Sequence, residues 1–69
     1  MKVNEMSKDR IVITSDCEMW TAVVQRWDNR NFVIFFDYDG ERHHFMRARH
    51  ATRDGAIKIA KEFVENNSK

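Results

Sequence analysis

Three histidines, His43, His44 and His50, fall within eight residues of one another, which raises the question of a metal site. Ligation requires imidazoles that converge on one ion. The segment holding them reads as a strand, and neighbours on a strand point to opposite faces, so His43 and His44 diverge. His44 and His50 share a face but are separated by roughly 20 Å at about 3.3 Å per residue. Cys17 is the only cysteine, so it adds at most one ligand and offers no CxxC pair or internal disulfide. No metal and no cofactor is expected. The plainer reading puts His44 at the edge of a core and leaves His43 and His50 in solvent.

Nucleophilic and acid–base chemistry have equally little support. Cys17 sits between Asp16 and Glu18, whose charges should raise its pKa and disfavour the thiolate. Asp37, Asp39 and Glu41 gather at a hairpin tip that has no walls to form a pocket. Gly40 and Gly55 are the only glycines, so there is no phosphate-binding loop. The chain is expected to be non-enzymatic, with no small-molecule substrate. The opening stretch MKVNEMSKDR has no apolar run, so neither a signal peptide nor a membrane span is read there, and a cytoplasmic protein is expected.

The arginines carry more information. The whole chain has a net charge of +1, yet Arg42, Arg47, Arg49 and Arg53 follow one another with no acid between Arg42 and Arg53. Eight aromatics in 69 residues indicate a folded domain with apolar surface to place. What the arginines and aromatics do depends on the elements that carry them.

Those elements read as α+β. Strands are expected at 10–14 (RIVIT), 19–27, 32–38 and 41–49, separated by turns at SDCE, DNRN and around Asp39-Gly40. The period changes after Thr52, a good N-cap with Asp54 in the first turn. Ala56, Ile57, Ile59, Ala60, Phe63 and Val64 fall on one arc of a helix over about 53–66, and Lys58, Lys61, Glu62 and Glu65 fall opposite. The expectation is one domain over 1–69, an antiparallel meander of three to four strands with the helix on one face, and frayed ends at 1–8 and 67–69.

One helix covers one face of a sheet, yet Phe32–Tyr38 is apolar at both parities. A three-residue loop at Tyr38–Gly40, built on a type I turn, would pair Asp37 with Glu41, Phe35 with His43 and Val33 with Phe45. Phe32, Ile34, Phe36, His44, Met46 and Ala48 would then face the helix. Val33, Phe35, His43, Phe45, Arg47 and Arg49 would lie open. A two-residue Asp39-Gly40 turn is the alternative, pairing Asp37 with Arg42 and Phe36 with His43.

The open face is the expected working surface: Phe35, His43, Phe45, Arg47 and Arg49, with Arg53 at the adjoining start of the helix. The leading expectation is a protein-binding or regulatory module, in the class that includes phage-type inhibitors, or a self-associating chain, because Phe, Trp, Met and Arg favour interface centres. The alternative is a nucleic-acid-binding domain whose aromatics stack bases while arginines meet phosphates. A three-stranded sheet backed by one helix resembles the AP2-type DNA-binding domain in topology, and that resemblance carries no site residue. Eleven acids against twelve lysines and arginines weigh against the nucleic-acid reading.

Overall fold

The computed structural model describes residues 1–49 and 52–67. Five strands, β1 (Lys2–Ser7), β2 (Arg10–Thr14), β3 (Trp20–Arg26), β4 (Asn31–Tyr38) and β5 (Glu41–Arg49), precede one helix, α1 (Arg53–Asn67). The strands form a single antiparallel sheet in the order β1-β2-β3-β4-β5. The α+β class and the helix on one face match the sequence reading. The five strands do not, and they remove the three-stranded topology on which the AP2-type resemblance rested.

The extra strand is β1, in residues expected to be frayed. Every one of its residues is exposed, so no alternation of buried and polar positions marks it. It is held by pairing with β2, from Lys2 opposite Thr14 to Ser7 opposite Arg10. Two ion pairs tie it down: the terminal ammonium to Asp16, and Glu5 to Arg53 at 2.8 Å. Asn67, at the other expected frayed end, closes the helix by donating to the Phe63 carbonyl at 2.8 Å, and residues 68–69 lie outside the described residues.

Helix α1 starts where its cap is. Thr52 Oγ1 accepts from Gly55 N–H at 3.0 Å, which satisfies one of the orphan donors of the first turn. The helix lies chiefly over β3, reaching β2 and β4. Ala56, Ala60 and Val64 are its buried residues, with Ile57 and Phe63 packed beside them. Small side chains at that seam let the helix approach the sheet closely. Ile59, placed on the apolar arc by periodicity, is at the margin and exposed. The sheet supplies Ile11, Ile13, Ala22, Val24, Phe32, Ile34, Phe36 and Ala48 to the same core. Fully burying side chains as large as Phe32 and Phe36 contributes about 1.5–3 kcal/mol each.

The β4–β5 hairpin decides which side chains lie open, and the register differs from the expected one. Tyr38 pairs with Glu41 and Asp37 with Arg42, so the loop is the two-residue Asp39-Gly40 turn. Both central residues have positive φ, 51° and 83°, as a type I′ turn requires. Beyond it Phe36 pairs with His44, which leaves His43 as a bulged extra residue. The remaining pairs are Phe35 with Phe45, Ile34 with Met46, Val33 with Arg47, and Phe32 with Ala48. The bulge restores the parity that the shorter turn would have reversed. Phe32, Ile34, Phe36, Met46 and Ala48 therefore face the helix as expected, although every cross-strand partner named for the expected register is wrong.

Candidate functional site

The sheet face away from α1 can be assembled row by row from the pairings. One row, crossing the strands from β1 to β5, is Asn4, Val12, Val23, Phe35 and Phe45. From Val12 onward it is an apolar stripe that ends in two phenyl rings, stacked with centroids 5.7 Å apart. On one side runs Arg10, Gln25, Val33 and Arg47. On the other runs Lys2, Thr14, Thr21, Asp37 and Arg42. Asn31 and Arg49 extend the face at its far end. With strands about 4.8 Å apart, the stripe spans roughly 19 Å.

The charge on this face is one-sided. Lys2, Arg10, Arg42, Arg47 and Arg49 lie on it, and Asp37 is the one carboxylate the rows bring there. Arg42 Nε donates to Asp37 at 3.2 Å while its guanidinium lies 4.1 Å over the Phe35 ring. That arrangement uses up the acid and fixes one face of the aromatic pair. Phe45 is 46% exposed, so its ring is accessible. Val33 is only 2% exposed although no second layer covers it. Its cross-strand neighbours are Gln25 and Arg47, whose long stems can lie over it.

A cleft of about 330 Å³ lies where this face meets the β3–β4 turn. Trp27, Asp28, Arg30, Asn31, Phe32, Arg47 and Arg49 line it. Trp27 is 67% exposed. Asp28 accepts from the Arg30 and Asn31 backbone N–H groups at 2.8 and 3.0 Å and from Asn31 Nδ2 at 2.9 Å. These bonds, the Arg30 N–H first and the Asn31 side chain next, hold its carboxyl below the usual range. Among the described residues, Arg30, Arg47 and Arg49 have no ion pair.

Of the six residues singled out in the sequence, the structure gathers Phe35, Phe45, Arg47 and Arg49 on the open face. His43 is not among them. As the bulged residue it turns to the helix side, its ring 5.4 Å from Trp20. Trp20 in turn packs edge-on against Phe63 of α1 at 5.6 Å. His44 stacks on Phe36 and lies 6.1 Å from Phe63. Arg53 is not there either. Its Nε donates to the Lys8 carbonyl at 3.2 Å and its guanidinium pairs with Glu5, so it fastens the start of α1 to the β1–β2 hairpin. The Glu5 bond raises its already high pKa. His50 lies outside the described residues.

Lys2, Arg10, Trp27 and Arg30 are members of the surface that the sequence reading missed. Trp27 precedes a recognised turn and Arg30 lies within it, and a large aromatic beside a turn was the available signal. Lys2 and Arg10 had none, because only the sheet order brings them beside residues 42–47.

Cys17 departs from expectation in another way. Its pKa is lowered, chiefly by the Ser15 hydroxyl 3.2 Å from the sulfur and next by backbone N–H at Met19. Hydrogen bonds in the turn outweigh the opposing effect of desolvation. Among the described residues, no three His, Cys, Asp or Glu side chains gather as a metal-binding group. No helix among them is long and apolar enough to cross a membrane. Comparison with protein-family models, curated proteins and solved structures finds no match.

Proposed function

We propose that this protein is a non-enzymatic binding module whose open sheet face holds single-stranded nucleic acid. The observation that carries the reading is the segregation of charge. A chain of net charge +1 puts five cations and one already paired carboxylate on the face that also carries the Phe35–Phe45 pair, with Phe45 exposed. The balanced composition that weighed against nucleic acid is an average over two unlike sides. A base would stack on the exposed Phe45 ring, and the apolar surface of Val12 would lie beside the strand. Arg10 and Arg47 on one flank, and Lys2 on the other, would meet phosphates. Stacking of this kind is worth about 1–3 kcal/mol per base and tolerates any sequence.

Salt tests it. Three or four phosphate contacts give a log–log slope of about −2 to −3, so affinity for an unstructured oligonucleotide should fall about 20- to 50-fold between 50 and 200 mM salt. Absence of binding at about 50 mM salt, where phosphate contacts are strongest, would remove the reading.

A protein partner, a second copy included, is the other reading, favoured by one feature. β5 is an edge strand with a regular stretch, Phe45–Arg49, beyond its bulge. Its outward backbone groups can accept another strand. Light scattering at rising concentration distinguishes self-pairing from a free edge.

A further inference from the structure

We infer that the cleft beside Trp27 takes one nucleotide unit of a bound single strand, the base stacked on the indole and the phosphate held by Arg47 and Arg49. This rests on the nucleic-acid reading of the open face and adds a discrete subsite to it. The cleft brings together two complementary kinds of group. Trp27 offers an aromatic face that is largely in solvent. Arg30, Arg47 and Arg49 surround the same space with no ion pair among the described residues.

Asp28, the acid in the lining, does not neutralise all three. Its carboxylate is bound to the N–H groups of its own turn, and its single charge, which acts on Arg30, offsets one of the three arginines and leaves two. Arg47 and Arg49 belong to β5, where strand pairing with Val33 and Asn31 fixes their backbones. Their guanidinium forks suit the two oxygens of a phosphate. The volume of about 330 Å³ lies at the small end of ligand sites, which fits one unit and not several. An acidic peptide would satisfy the arginines but leave the indole face uncovered. A nucleotide satisfies both.

Arg47 is shared between the cleft and the basic row beside the stripe, so a strand lying on the stripe can enter the cleft at that residue.

The test is a fluorescence titration of the full chain at about 50 mM salt with five probes: adenosine monophosphate, adenosine, inorganic phosphate, a short single-stranded oligonucleotide and an acidic peptide. Adenosine monophosphate is expected to quench Trp27, with adenosine and phosphate each much weaker. Trp27→Ala should abolish that quench and weaken oligonucleotide binding at least about fivefold, the loss of one stacked base. Arg47→Met with Arg49→Met keeps the stem at position 47 that can lie over Val33 and should weaken adenosine monophosphate about tenfold or more. Phe45→Ala should weaken the oligonucleotide and leave adenosine monophosphate unchanged.

Equal quenching in wild type and Trp27→Ala, or phosphate binding as tightly as adenosine monophosphate, overturns the subsite. So does oligonucleotide binding that depends on Phe45 but not on Trp27, and that outcome leaves the open-face reading standing. Adenosine monophosphate binding as described with no oligonucleotide binding reverses this, removing the strand and leaving a nucleotide site. An acidic peptide that binds more tightly than either nucleotide probe overturns both.

Discussion

Asp28 determines how much positive charge the Trp27 cleft retains. Its carboxylate serves the β3–β4 turn, so a lowered pKa and a stable turn are the same fact. The sign follows from linkage. A carboxyl whose folded pKa is depressed contributes stability that is fully present above its unfolded value, about 3.9, and is lost as pH falls through the folded pKa. Asp28→Ala should therefore lower Tm at pH 7, and the gap to wild type should shrink at a pH below the ordinary carboxyl value of about 3.9. Thermal melts at the two pH values check this; an unchanged gap would mean that the carboxylate charge does not hold the turn. At this scale the sequence was a partial guide. DNRN announced a turn, but not that its acid would be bound to the turn's own amides. At Cys17 the adjacent charges of Asp16 and Glu18 were legible, and the Ser15 hydroxyl that the fold brings within 3.2 Å of the sulfur was not.

Among the elements, the β4–β5 hairpin has the most influence on the proposed site. Its two-residue turn and the bulge at His43 together place Phe45, Arg47 and Arg49 on the open side. Gly40 sits at φ 83°, where an added Cβ meets no neighbour but forces a left-handed backbone. Gly40→Ala should cost about 1–2 kcal/mol in urea unfolding. A neutral result would show that the turn is not the type I′ turn described. The turn residues were legible, because Asp-Gly is a hairpin signal. The bulge was not, since one extra residue leaves the alternation beyond it intact. α1 was legible to within a residue because its buried seam, Ala56–Ala60–Val64, repeats every four residues and its cap is local. β1 was invisible for the opposite reason. All its side chains are exposed, and its order comes from β2 and from Arg53, a helix residue far along the chain.

For the whole molecule, topology sorts a balanced set of charges into unlike sides. Arg10 and Arg47 lie in one row only because β2, β3, β4 and β5 are adjacent in that order. Nothing between residues 10 and 47 in the chain announces this, so half of the proposed surface was legible in the sequence and the other half was not. The half that was legible came from strand alternation in β4 and β5. The central claim is that this face holds a single strand. Amide and indole chemical shifts of the isotope-labelled protein, titrated with an unstructured oligonucleotide, test it most directly. The account expects shifts at Val12, Val23, Phe45, Arg47 and the Trp27 indole, with the exposed side of α1 at Lys58, Lys61 and Glu62 unmoved. Shifts centred on α1, or none at all, would contradict it.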